Sequence, residues 1–578
     1  MRDKWKISER NRLLALSLVT GVGAGLASVL LVRLINLCQS LVARSVSGGS
    51  GGWLLFVLPG VGMLLSLLIT KYLVKDNISH GVTKVLVAIS RHEAKIKPHN
   101  TWSSLLTSSL TIGLGGSVGA EAPIVYTGAA LGSQLGQRFG LSRRGITVLV
   151  GCGAAGAVAG IFKAPLAGVL FTLEILMFNI SMTSMTPLLL SSLSATVVSY
   201  LLAGDIAPFA CTPDAFSMGR MPFYLILGVF CGFCSLYFQK MTLSLEDWLS
   251  KLGNPFLRWG LCALGLGLLV MSFPPLYGEG YGSLAPLLGG EGAEAVPGIS
   301  GLFTGKWGIV LFFAAVMLLK VFSMTLTNAG GGVGGTFGPT LFVGAMMGFV
   351  MSRSFNLGFA LDLPEQNFVL VGMAGLMAGV MQAPMTAIFL IAEISGGYDL
   401  FLPLILCATI SYGTTRIWEK YSIYTKRIAQ SGELLTHDSD QATLAMMKVS
   451  DYVRDKYPRV RPQTGFKELM KIFSEDSSLV FAVVDASERF LGMIEVDNIH
   501  RYIAKPEEHD SLKARDIMER APEIIHISDS MPDVVAKFEA TGAWRIPVVD
   551  ADGKYLGFMS RSRLLIAYRD ELKSLTEE

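Results

Sequence analysis

The stretch Gly115-Gly116-Ser117-Val118-Gly119-Ala120-Glu121-Ala122-Pro123 sets a single carboxylate in a glycine-rich break of a long apolar region. At membrane depth a carboxylate costs roughly 2.5 to 3.5 kcal/mol even on a lenient insertion scale, so Glu121 needs a purpose there. The glycines free backbone N–H groups, and the apolar run Ile124 to Leu135 predicts a helix starting near Glu121. Helix N-termini attract anions. A carboxylate there can occupy an anion's position, and protonation would remove it; the plainer role is a buried helix cap. Ser79-His80-Gly81-Val82-Thr83 offers a second set of donors, the N–H groups of Gly81 and Val82 with the side chain of His80 or Ser79, although Ser-His before a helix also reads as an N-cap. Covalent and metal chemistry have little support. Glu121, Glu174 and Glu393 fall on separate predicted helices, no nucleophile has a base partner, and no side chains have metal-ligand spacing, so neither an enzyme nor a metal site is expected. Cys231 and Cys234 form a C-x-x-C on a predicted membrane helix without further ligands.

The elements that must position these groups belong to a polytopic membrane protein. The 578 residues are 51% hydrophobic and 16% charged, with mean hydropathy +0.50, too apolar for a soluble domain. A net charge of +3 argues against a nucleic-acid partner. A basic start (Arg2, Lys4, Lys6, Arg10, Arg12) precedes the apolar run Leu13 to Leu31, which predicts a first span with a cytoplasmic N-terminus. Ser47 to Gly52 reads as a flexible turn before a second span, Trp53 to Leu73. From Thr101 the apolar segments become short and glycine-interrupted, with helices predicted at 103–113, 121–138, 145–161, 165–179, 183–203, 221–240, 256–272, 306–325, 337–352, 366–380, 384–395 and 400–416. Several are too short to cross upright. Broken helices ending at mid-membrane are how transporters hold ions.

An internal repeat sharpens this reading. Lys163-Ala164-Pro165 through Glu174 is echoed by Gln382-Ala383-Pro384 through Glu393, and the Glu121 stretch is echoed by Gly330-Gly331-Gly332-Val333-Gly334-Gly335-Thr336-Phe337-Gly338-Pro339. Each half carries a glycine-rich break and, later, an Ala-Pro helix ending in Glu. Such repeats place a site between the halves.

These motifs resemble the CLC family of chloride channels and proton/chloride antiporters, over roughly residues 10 to 430. The resemblance implies an all-α domain of broken helices in two inverted repeats (about 12–215 and 216–428 within 1–428), a homodimer with one pore per subunit, and chloride or a similar anion as the ligand. The family's G-x-E-x-P falls on Gly119, Glu121 and Pro123 and makes Glu121 the gating glutamate. Its G-G-x-F-x-P falls on Gly334 to Pro339, so the Thr336 and Phe337 amides would donate to the anion. The pore tyrosine matches Tyr424. His80, Gly81, Val82 and Gly119 complete the implied anion site. The chain departs from the family in three places. His80 replaces a serine that touches the anion, and an imidazole is larger and can titrate near neutral pH. Lys163 stands where many members are neutral or acidic. Antiporters commonly have a Glu-Glu pair whose second acid passes protons inward, whereas here the pair reads Glu174-Ile175. Loss of the acid at Ile175 favours a passive voltage- or pH-gated channel, with a proton-coupled chloride antiporter as the alternative.

After Tyr424 a polar linker (429–445) leads into a charge-rich tail with its own repeat. Val483-Val484-Asp485-Ala486 with Phe490-Leu491-Gly492-Met493 recurs as Val548-Val549-Asp550-Ala551 with Tyr555-Leu556-Gly557-Phe558, and Lys448 and Asp451 recur as Lys513 and Asp516. Each unit reads as a helix, two strands around an Asp-Ala turn, and a helix. Residues 446–578 resemble a tandem pair of CBS domains (about 446–508 and 511–570), an α/β module that in many proteins binds adenine nucleotides. Of the positions such sites use, Glu495, Asn498 and Arg563 disagree and only Ser560 agrees, which favours a structural, dimerising role; no cofactor is required. The tail must lie on the same side as the N-terminus, and the inner (plasma) membrane of a prokaryote is the expected location. A CBS-regulated divalent-cation transporter is a remoter alternative, disfavoured because the motifs expose N–H donors, not oxygen ligands.

Overall fold

Glycine and proline punctuate the chain into the helices that the computed structural model contains. It describes residues 9–46, 52–91, 94–176, 182–204, 211, 213–290, 292–296, 303, 305–430, 447, 449–475, 480–503, 507 and 509–576. These form two compact units, 1–434 and 435–578.

The first unit is helical: α1 Glu9–Val46, α2 Gly52–Leu68, α3 Gly81–Arg91, α4 Ser103–Gly113, α5 Glu121–Arg138, α6 Arg143–Phe162, α7 Pro165–Glu174 and α8 Met182–Ala203. It continues with α9 Met221–Ser250, α10 Pro255–Ser272, α11 Tyr281–Leu288, α12 Gly305–Ala329, α13 Phe337–Phe359, α14 Glu365–Met381, α15 Pro384–Ile394, α16 Phe401–Trp418 and α17 Ile423–Gln430. Helix α1 outruns its expected span and carries Gly21, Gly23 and Gly25 inside it. Helix α11 was not expected, being eight residues with Pro286 inside. Helix α7 is shorter than the predicted 165–179, and the expected turn at 47–52 lies almost wholly outside the described residues.

Among the described residues seven helices are long and apolar enough to cross a membrane. Their burial sorts them. Arg143–Phe162 is 89% buried inside the bundle, Pro255–Ser272 only 22%, and Leu257, Leu261, Leu264 and Leu268 of α10 remain as an exposed apolar stripe. The core pairs α5 with α6 and α13 with α14. Both crossings use glycines at repeat-related positions: a Cβ on Gly128 would stand 2.2 Å from the Gly153 carbonyl, and one on Gly344 would stand 2.4 Å from that of Gly372. Backbones this close exclude any side chain.

The Ala-Pro junctions also match. Lys163 (φ 56°) and Gln382 (φ 53°) end α6 and α14 in the left-handed conformation, and Pro165 and Pro384 begin the next helices at their first position, where no N–H is needed. Lys163, of no evident consequence in the sequence, donates from Nζ to the Gly204 carbonyl at 2.7 Å and faces the Tyr200 ring.

In the second unit, each half forms a three-stranded sheet: β1 Arg459–Val460, β2 Val480–Val484 and β3 Phe490–Glu495, then β4 Ile525–His526, β5 Arg545–Val549 and β6 Tyr555–Ser560. The short strands β1 and β4, parallel to β2 and β5, escaped the sequence reading. Met493 and Glu519 exchange backbone hydrogen bonds at 2.9 and 3.0 Å, and Phe558 and Arg454 do so at 3.1 and 3.2 Å, so the segment ahead of each repeat's first strand extends the other repeat's sheet. Val480, Ala482, Met493, Tyr555 and Phe558 fill a core shared by both repeats. Most of the expected linker and Lys448 lie outside the described residues.

Candidate functional site

The two glycine-rich breaks bind each other. Gly119 and Gly335 exchange backbone hydrogen bonds (3.0 and 2.7 Å) as an antiparallel bridge. The amide of Ser117 donates to Thr327 Oγ1 at 3.1 Å, and the amide of Val333 donates to Thr111 Oγ1 at 3.2 Å. Breaking a helix in an apolar interior frees backbone groups that must be satisfied, and here each half satisfies the other's.

Glu121 begins α5 and is 2% exposed. Its carboxylate turns to the other half of the chain, accepting from the Gly338 amide in the first turn of α13 (3.2 Å) and from the Tyr281 hydroxyl (2.8 Å). It thus stands where an anion would meet a helix N-terminus. Gly119 makes room: a Cβ there would lie 2.1 Å from Glu121 Oε2.

Helix α3 approaches the same point, since a Cβ on Gly81 would lie 2.6 Å from the Ala122 carbonyl and one on Gly335 would lie 2.9 Å from the Ala122 Cβ. The N-termini of α3, α5 and α13 therefore meet around Ala122. Gly81 and Val82 are buried, and half-buried His80 takes φ 55° to turn into α3. Ser79 is not a candidate donor, because its hydroxyl and amide both bind Asn77 Oδ1 (2.6 and 3.0 Å). Thr336 and Phe337 are 3% and 1% exposed. The Phe337 ring packs against Phe162 and Phe171, 5.4 and 6.2 Å between centroids. Tyr424, on α17 against α3 and α14, accepts from Thr336 Oγ1 at 3.3 Å, which leaves its own hydroxyl proton to donate elsewhere. One turn further along α17, Arg427 forms a two-pronged ion pair with Glu246 (2.7 and 3.2 Å).

Ile175 is 4% exposed and follows a carboxylate already committed. Glu174 accepts from the amides of Met385 and Thr386 and from the Thr386 hydroxyl, capping α15. Glu393 reciprocates at the start of α7, accepting from the amides of Leu166 and Ala167. Helices α7 and α15 are therefore antiparallel.

Three residues beside Glu121 were missed. Tyr281 donates to it, Glu279 Oε1 accepts from the Ala120 amide at 3.1 Å, and fully buried Lys320 donates to Ser117 Oγ and the Gly278 carbonyl, each at 2.9 Å. The lysine in the middle of the apolar run 306–325 was a legible signal; an acid between two glycines was a weaker one.

In the tail, Asn498 is occupied: it accepts from the Glu495 amide and donates to Glu519 Oε1. Ser560 is partly exposed, its hydroxyl 3.0 Å from that of Ser562. Among the described residues no group of His, Cys, Asp and Glu could hold a metal ion.

Comparison with known proteins agrees with this architecture. A family model described as voltage gated chloride channel matches residues 61–416, and the CBS domain model matches 449–505 and 514–570. A protein of Escherichia coli named voltage-gated ClC-type chloride channel ClcB is 30% identical over 333 residues, 56% of this chain and 75% of the relative. A putative chloride channel protein, ClcB-like, of Ralstonia nicotianae is 27% identical over 387 residues, 66% and 86% of the two chains. Among solved structures, a slow cyanobacterial Cl−/H+ antiporter is similar with TM-score 0.62 at 22% identity, over 73% of this chain and 98% of its own. A CLC-type fluoride/proton antiporter gives 0.60 at 23%, over 72% and 96%, and a eukaryotic CLC transporter 0.61 at 18%, over 95% and 97%. At these identities the structures speak to the fold.

Proposed function

We propose, for a chain that belongs to the voltage-gated chloride channel family and carries two CBS domains, that Glu121 gates the passage of chloride or a similar monovalent anion across the membrane. The observation that carries this reading is the Glu121 carboxylate, 3.2 Å from the Gly338 amide at the head of α13. Ionised, it competes with the anion for that amide. Protonated, it loses its charge-assisted hydrogen bond, leaves, and the anion takes its place. The amides of Thr336, Phe337, Gly81 and Val82, the Tyr424 hydroxyl and the His80 ring replace the ion's lost water.

Passive conduction, gated by pH or voltage, is favoured by Ile175. That side chain binds no proton, and Glu174 beside it is held by three donors. Proton-coupled exchange is the second reading, supported by the antiport named for two similar structures. On either reading the protein is a transporter and not an enzyme. A homodimer, a membrane domain over 1–428, a tandem CBS tail over 446–578 acting chiefly as a structural module, and an inner-membrane location with both termini cytoplasmic complete the proposal. An adenine nucleotide held near Ser560 is the alternative role for the tail.

Simultaneous chloride and proton fluxes from reconstituted vesicles, with Glu121→Gln alongside, test it. Chloride flux without coupled protons supports the channel. Proton uptake driven by a chloride gradient and lost in E121Q supports exchange, and cation flux would remove both.

A further inference from the structure

Glu279 sits in a turn that is fixed from both sides. Gly278 (φ 61°) and Gly280 (φ 90°) flank it; the Gly278 amide donates to the Gly115 carbonyl at 3.2 Å, and the Gly278 carbonyl accepts from Lys320 Nζ. The glutamate is thereby aimed at the start of α5, where it accepts from the amide of Ala120, the residue before the gate. From the same loop Tyr281 reaches Glu121 itself. The charged and titratable groups facing Glu279 are Glu121 from α5, Lys320 from α12 and Tyr281 at the head of α11. Lys320 is fully buried and can balance one of the two carboxylates. The second is a like charge in a region of low dielectric, and such pairs share a proton.

Exposure separates the two acids. Glu121 is 2% exposed and closed in by Gly338 and Tyr281, whereas Glu279 is only half-buried. We infer that Glu279 is a second proton-binding residue of this protein, through which the buried gate exchanges its proton with the solution. The inference rests on the reading of Glu121 as the gate. In the step itself the O–H bond of the Glu279 carboxylic acid breaks, one forms on the Glu121 carboxylate, and the Glu279 carboxylate then takes a proton from a hydronium ion of the acid solution, leaving water.

A helix cap would contact the Ala120 amide in the same way, so the test must separate charge from shape. The full chain in chloride-loaded vesicles is stepped to acid pH and the rise of chloride flux is timed. Glu279→Gln keeps an acceptor for Ala120 but binds no proton, and it is expected to slow the rise by about tenfold or more. Glu279→Asp shortens the reach but keeps the carboxyl group and is expected to recover most of the rate. E279Q rising as fast as wild type, or E279D as slow as E279Q, overturns the inference. Where E279Q does not assemble, E279D against E279N makes the same comparison. Failure of the gate reading is distinct: E121Q would then respond to acid as wild type does.

Discussion

The carboxylate of Glu174 closes on Thr386, accepting from its amide and its hydroxyl at 2.7 Å each. A third bond comes from the Met385 amide at 3.0 Å. The repeat-related Glu393 has two partners, the amides of Leu166 and Ala167, because alanine supplies no hydroxyl. Hydrogen bonds to an ionised group contribute about 1.5 to 3 kcal/mol, and a partner left buried and unpaired costs more. Glu174→Ala is therefore expected to destabilise the membrane unit by about 3 kcal/mol, and Thr386→Ala by about 1 kcal/mol. Thermal unfolding in detergent, with Glu393→Ala between the two, checks the order.

The proposed gating role of Glu121 fixes the sign of the expected pH response. Its ionised form holds the Gly338 amide, so chloride flux should rise as the outer pH falls. Glu121→Gln, permanently uncharged, should conduct at all pH values with no such rise. Flux measured across pH 4 to 8, roughly the range over which buried carboxyl groups titrate, decides it.

Gly119→Ala tests the resting position of the proposed gate. The added methyl would lie 2.1 Å from Glu121 Oε2 and 2.9 Å from the Gly338 amide nitrogen. The carboxylate must give way, being the movable partner. Chloride flux near neutral pH is expected to increase and its pH dependence to flatten. A response like that of wild type would mean that the carboxylate does not rest at Gly338.

Ile175→Glu restores an acid beside a Glu174 already committed to α15. If Ile175 is what interrupts an inner proton path, the variant should show proton uptake driven by a chloride gradient where wild type shows little. Vesicle proton flux reads the difference. Equal uptake in the two proteins would mean that protons take another path.

The helix starts were legible because glycine and proline act locally. Pro165 and Pro384 begin α7 and α15 as expected, and the run after Glu121 forms α5. The tail's second repeat was legible for the same reason: Asp485 accepts from the amides of Ser487 and Arg489, and Asp550 from those of Asp552 and Lys554, each within one turn. Strands β1 and β4 were not, being two residues long and made only by pairing with β2 and β5.

By itself, the order of residues determined the twofold arrangement of broken helices, the carboxylate set among glycines, and the isoleucine after Glu174. It could not say which donor each acid meets, because the partners come from the other half of the chain: Gly338 for Glu121, Thr386 for Glu174, Ala120 for Glu279. The residues alone left Ser79 and His80 both open as donors and the family resemblance pointed to His80; the turn that commits Ser79 to Asn77 could not be read from the sequence. Glycine and proline act through their own φ angles and so can be read in place, whereas a hydrogen bond between distant segments exists only once packing has brought them within reach.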